Sequence, residues 1–243
     1  MHHSARNLGL ALRSLQQSPH VLARLIVISL LALIGIGTLA ALGAYRLSMT
    51  APGWWRTVDA ADTATITLAE DTEQAVTTTL YAKHELGSPW TVAVSAAQAN
   101  AWVNVMLPRW LENQDIDTPE WVSQIQFHFD PEWIGCGVMV PDEQGRQRYV
   151  TLRARALVDD SGALWLRPVG ASIGRVGMPL RWTFEEMARR AEGPAEREVV
   201  DAIRGLVPVS DEIAVELGDG RVVRMLAARP DKGRLLVTCV TER

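Results

Sequence analysis

The chain has 243 residues and a net charge of −4, with 24 Lys and Arg against 28 Asp and Glu. A nucleic-acid partner needs a run of basic side chains along its phosphates, and none is present, so that class is excluded. Two cysteines cannot staple a small scaffold, and the length suffices for a domain that buries its own apolar core.

Residues 1–24 contain Arg6, Arg13 and Arg24 and no acidic residue. Within residues 5–17, Leu8, Leu10, Leu12 and Leu15 interleave with Arg6 and Arg13, which fits either a short helix along a membrane surface or a frayed basic tail. Leu25 to Tyr45 then runs for 21 residues without a charge. At about 1.5 Å per residue such a helix spans roughly 30 Å, the thickness of a bilayer's hydrocarbon core. The spacing predicts a transmembrane helix over 25–45 and a juxtamembrane linker over 46–64. Beyond it come Arg46 and Arg56, then Asp59, Asp62, Glu70 and Asp71. The positive-inside rule places 1–24 in the cytoplasm and the domain over 65–243 outside it, anchored in a bacterial inner membrane. A cleaved signal peptide is the rival, with Ala41-Leu42-Gly43 as its cleavage site, but the apolar run is too long for one. Gly37, Ala41 and Ala44 are spaced for helix packing.

Trp54 and Trp55 suit a membrane-interface anchor or a cap on the soluble core. Thr67-Leu-Ala-Glu70 predicts a helix over about 68–85, stopped by Gly87-Ser88-Pro89. Trp90 to Val94 alternates as a strand, and Ser95-Ala-Ala-Gln98 opens a second helix. On it Ala99, Trp102, Val103, Met106 and Trp110 share a face beside a polar strip of Asn100 and Asn104, and Pro108 kinks the helix or ends it at Leu107. Ile125, Phe127 and Phe129 next alternate with Gln124, Gln126 and His128. Runs over 133–140, 147–158 and 163–169 complete an antiparallel meander with one wet face. Thr183-Phe-Glu-Glu186 and Gly193-Pro194 start two more helices, the second over about 194–205. Strand-like runs at 211–217, 221–228 and 234–241 close the chain. The order predicts an α+β fold, an antiparallel, curved sheet covered by helices.

PWTVAVSAAQANAWV, LPRWLEN and the closing GDGRVVRMLAA…GRLLVTCV resemble bacterial single-pass membrane proteins with a YpmS-like extracytoplasmic domain. The resemblance covers most of residues 65–241. It implies a tethered module with a suggested lipid-binding role, and it carries no enzymatic activity across.

Gly170-Ala-Ser172-Ile-Gly174 matches a nucleophile-elbow pattern, yet Gly177 and Pro179 follow where a helix is required and no His follows His128. His84-Glu85 and His128-x-Asp130 do not set two metal ligands on one helical face. No phosphate loop or dinucleotide fingerprint occurs, so neither catalytic residues nor a metal or cofactor are predicted. Two functions fit a domain tethered to a lipid bilayer. One is a non-enzymatic module holding a lipid or another apolar ligand, and the other is an assembly subunit docking a protein partner in the envelope. The predicted ligand wall is Trp102, Val103 and Met106 opposite Phe127, Phe129 and Trp165, which serves equally as dense core. Cys136 and Cys239 either form a disulfide outside the cytoplasm or act as small apolar residues.

Overall fold

A computed structural model describes residues 19–115, 123–142, 144–191 and 193–243. The reading of residues 5–17 falls outside them. Helix α1 (Pro19–Ser48) contains Ile26–Ser48, a stretch of 23 residues long and apolar enough to cross a membrane. Its large apolar side chains from Ile26 to Leu42 are all exposed, as lipid-facing groups would be.

Residues 48–243 form a unit of their own. Its elements are α2 (Thr63–Tyr81), β1 (Pro89–Ser95), α3 (Ala96–Asn113), β2 (Gln124–Asp130), β3 (Trp133–Pro141), β4 (Gln147–Val158), β5 (Leu164–Ile173), β6 (Val176–Met178), α4 (Leu180–Arg190), α5 (Pro194–Arg204), β7 (Ala214–Glu216), β8 (Val222–Asp231) and β9 (Arg234–Glu242). The class is α+β, but the strands make two antiparallel sheets where one curved sheet is expected from the sequence. One sheet runs β1-β9-β8-β7 and the other β2-β3-β4-β5-β6. The division arises because β9 pairs with β1, from Pro89 opposite Val240 to Ser95 opposite Arg234, and does not extend the meander.

Helix α2 starts earlier than Thr67 would place it. Asp62 is the N-cap, its carboxylate accepting from the Thr65 N–H at 3.1 Å. The threonines are accommodated because the Thr72 and Thr79 hydroxyls donate to the carbonyls of Leu68 and Ala75 at 2.6 and 2.8 Å. The helix ends at Tyr81, where the Arg221 guanidinium takes the open carbonyls of Tyr81 and Ala82 at 3.0 and 2.8 Å. That cation comes from the β7–β8 hairpin and fastens α2 to the first sheet. At the same end Trp90 stacks on His84 with ring centroids 3.9 Å apart and donates to the Thr241 hydroxyl at 3.0 Å.

The capping box predicted at the start of α3 is present. Ser95 Oγ accepts from the Gln98 N–H at 3.2 Å, and Gln98 Oε1 accepts from the Ser95 N–H at 2.9 Å. Of the two expectations for Pro108, a stop at Leu107 does not occur: the helix runs through exposed Pro108 to Asn113. Helix α4 starts three residues before Thr183, whose hydroxyl donates back to the Pro179 carbonyl at 3.1 Å. Helix α5 follows Gly193-Pro194 as predicted and closes on left-handed Gly205.

The meander has the predicted alternation, but its Gln face is not wet. Gln124, Gln126 and Thr151 are buried there, and the linker supplies the cover: Gln124 Nε2 donates to the Val58 carbonyl at 2.6 Å, and Trp55 is buried on Gly137.

Candidate functional site

Helix α3 meets two neighbours on two of its faces. Ala101 and Val105, one turn apart, pack with Met106 against Ala69, Ile66 and Leu68 of α2. On the next stripe, Asn100 and Asn104 point at β2. Asn100 Nδ2 donates to the Phe127 carbonyl at 3.1 Å while its Oδ1 accepts from the Phe127 N–H at 2.6 Å. Asn104 repeats the pattern on Ile125, at 2.6 Å to the carbonyl and 3.1 Å from the N–H. The match is one of spacing: four residues of helix rise about 6.0 Å, and two residues of strand extend about 6.7 Å. Each side-chain amide therefore stands where a neighbouring strand would put a peptide group. The outward Phe129 carbonyl accepts from the Gly233 N–H at 3.0 Å, so the outward groups of Ile125 and Phe127 and this carbonyl are all taken.

The six residues of the predicted ligand wall do not come together around one space. Val103 is buried. Trp102 is half-buried, its indole N–H donating to Glu73 of α2 at 3.1 Å, while Met106 joins the α2–α3 core. Phe127 and buried Phe129 lie on β2 with nearly parallel rings whose centroids are 6.5 Å apart. Trp165 belongs to β5, three strands from β2 and so roughly 14 Å away at ordinary strand spacing. Its indole donates to Asp159 at 2.8 Å in the β4–β5 turn.

Asp159 also accepts from the Ser161 hydroxyl at 2.6 Å, and these two bonds with backbone N–H groups hold its carboxyl down at about 2. A carboxyl whose folded pKa lies below its ordinary 3.8 stabilises the fold above that value and ceases to do so as the pH falls toward 2. Thermal unfolding between pH 5 and 2 should therefore show a smaller loss of stability for Asp159→Asn than for the native chain, with an unchanged slope as the contrary result.

Cys136 and Cys239 are free thiols on different sheets, Cys136 in β3 and Cys239 in β9. Burial pushes the Cys136 thiol up to about 11 and raises Cys239 as well, which makes both poor nucleophiles. Ser172 lies at the end of β5 in the hairpin with β6, its Oγ 2.5 Å from the Thr151 hydroxyl, so the strand-to-helix setting of an elbow is missing. Among the described residues, no three His, Cys, Asp or Glu side chains converge as metal ligands would.

A different place is open. Between α2 and β1 lies a cleft of about 230 Å³, lined by Thr72, Ala75, Val76 and Thr79 on one side, Thr91 to Val94 on the other, and Gln98 at its end. Its lining carries no charge. Strand β1 forms the outer edge of its sheet, and the side chains of Thr91 and Ala93 are exposed. No catalytic chemistry is available in such a lining; what it offers is backbone hydrogen bonding beside small side chains. Sequence reading marked Trp90–Val94 as a strand but not as an edge, because its one partner lies more than 140 residues away.

On the Gln face, Trp54 stacks on His128 at 5.3 Å and Trp55 meets Tyr149 edge-on at 5.0 Å. Burial lowers the pKa of His128 against the opposing pull of Asp130, which favours the neutral form of the ring under Trp54. Trp54 and Trp55 thus cap the sheet.

No family model matches the chain, and neither a curated protein nor a solved structure does.

Proposed function

We propose that this chain is a non-enzymatic module, anchored by α1 in a bacterial inner membrane with residues 48–243 outside the cytoplasm, that docks a protein partner in the envelope. The observation that carries this reading is the α2–β1 cleft with its open strand edge, set against the dispersal of the predicted apolar wall. A cleft of about 230 Å³ lies below the ~300–1,000 Å³ usual for small-ligand pockets. Its lining, with three threonines and a glutamine among nine residues, is less apolar than an acyl chain needs. The lipid-holding reading, which the YpmS-like resemblance favours, is correspondingly weaker. The basic residues Arg6, Arg13 and Arg24 ahead of the helix support the orientation.

Photo-crosslinking residues placed singly at exposed Thr91, Trp110 and Val199 of the full chain in intact cells test the reading, beside native mass spectrometry of the detergent-extracted protein. A discrete protein adduct from at least one position, with no retained lipid, is the expected outcome. Stoichiometric lipid with no adduct at any position replaces docking by lipid binding. For the orientation, a cysteine at exposed Ser161 should react with a membrane-impermeant thiol reagent in whole cells. Failure to label before lysis, with labelling after it, would reverse the topology.

A further inference from the structure

Residues 49–61 belong to neither helix nor strand, yet they are strapped down across the second sheet. The Arg148 guanidinium donates to the Ser48 hydroxyl at 3.0 Å, and Arg175 Nε donates to the Ala51 carbonyl at 3.0 Å. Trp54 lies on His128, Trp55 on Gly137 and Tyr149, and the Val58 carbonyl takes Gln124. Ser48 also ends the stretch able to cross a membrane, so the strap is fastened from the last residue of the span onward.

Beneath the strap the sheet is not composed as a core. One row across it reads Gln126, Gly137, Thr151 and Ser172 on successive strands, whereas the next row, on the opposite face, reads Phe127, Cys136, Leu152 and Ala171. The second is a core row, and the first has the amides and hydroxyls of a face that meets water. With the strap in place, Trp55 Nε1, Gln124 Oε1 and both amide atoms of Gln126 are buried without a hydrogen-bond partner. Each has given up water for no bond, a cost that vanishes if the strap lifts. The indole rings that offset it have a second place to go. Trp54 and Trp55 follow Ser48 by six and seven residues, which keeps them within about 20–25 Å of the span's end on a fully extended chain, and indoles are favoured in the headgroup layer.

We propose that residues 49–61 are a latch with two resting places, the Gln126 row of the second sheet and the membrane surface. Seated on the sheet, the latch holds the domain at the bilayer. Lifted, it wets the Gln126 row, passes Trp54 and Trp55 to the headgroup layer and leaves the seven residues from Arg56 to Asp62 as a tether of up to about 25 Å. The lift breaks no strand pairing, because the strap is part of neither sheet. This rests on reading α1 as a membrane anchor, and it sets how far from the bilayer the docking domain meets its partner. A partner held away from the surface draws the latch up.

Thiol labelling on the two faces of β4 tests this, with the full chain in phospholipid nanodiscs and each site read by mass spectrometry. Thr151 is buried under the strap and Ala154 is buried on the opposite face of the same strand. Unfolding of the domain uncovers both, whereas a lift uncovers only the first, so Thr151→Cys should react at least tenfold faster than Ala154→Cys. Ser172→Cys, in the same row, serves if Thr151→Cys does not fold. Arg175→Ala removes a strap bond from an exposed position and should speed Thr151→Cys by a further factor of roughly two to ten, the worth of one net hydrogen bond. In amphipol, which has no headgroup layer, Thr151→Cys should react more slowly than in nanodiscs. Equal rates on the two faces, no response to Arg175→Ala, or equal rates in amphipol and nanodiscs each overturns the latch. A chain recovered outside the nanodiscs removes the anchor reading itself, a result distinct from these.

Discussion

Asn100→Leu should destabilise the domain by about 2–6 kcal/mol, because it strands the N–H and C=O of Phe127 at a partly buried edge at roughly 1–3 kcal/mol each. The loss should be visible as a lower denaturant midpoint of the full chain in detergent, with concentration-dependent association as the freed β2 edge finds other strands. Asn100→Asp separates the two bonds. An ionised carboxylate still accepts from the Phe127 N–H but faces the Phe127 carbonyl with no proton to give, whereas a protonated one restores both bonds. Its folded pKa is therefore raised, and the variant's deficit relative to wild type should be small below about pH 4 and grow as the pH rises. A deficit independent of pH would mean that Asn100 acts through its shape alone.

Trp55→Ala should cost about 3–5 kcal/mol, the usual effect of removing a large buried aromatic, since Trp55 of the linker is 6% exposed against the sheet. The seat of that ring is Gly137. A Cβ there would stand 2.8 Å from Trp55, 3.0 Å from Trp54 and 3.1 Å from the Thr151 methyl, so Gly137→Ala should cost about 1–3 kcal/mol by overpacking. If the clash with Trp55 causes the second loss, the double variant should be less destabilised than the sum of the two. Strict additivity, measured by chemical unfolding of all four proteins, would show that Gly137 is needed for the strand and not for the ring. Gln126 sharpens the expectation. It is wholly buried in the same layer with neither amide atom hydrogen-bonded, so the ring packing and the Gln124 bond to Val58 that hold the linker work against a polar cost.

Features legible in the sequence were those set by neighbours along the chain. The Ser95–Gln98 capping box, the Gly193-Pro194 start of α5 and the period-2 runs of the meander all involve residues within a few positions of one another. Helix α2 starts before Thr67 because Asp62 supplies the cap with Thr65 in place of the Glu or Gln that completes a capping box, so the sequence shows the box at Thr67-Leu-Ala-Glu70 more plainly than the cap that is used. The split into two sheets depends on β1 meeting β9, a pairing that no local period encodes. Gln124 and Gln126 read as solvent-facing because polarity in a strand is ambiguous between water and a cover drawn from elsewhere, here Trp54 to Val58. The Asn100/Asn104 strip was visible as a strip; that its spacing fits a strand edge follows only once β2 lies beside it. Trp102, Phe127 and Trp165 share a chemical type, but strand order sets Phe127 on β2 apart from Trp165 on β5, and Trp102 sits on α3.

The pairing of Pro89–Ser95 with Arg234–Glu242 also has a kinetic meaning. Strands β2 to β6 close through short hairpins, so their contact order is low and they can form early, whereas β1 must wait until Arg234–Glu242 have been made. Until then β1 lacks its one strand partner. Pulse-labelled hydrogen exchange during refolding should protect Val138 and Leu152 before Val92 and Val94. A chain cut before Arg234 should keep the meander and lose the cleft.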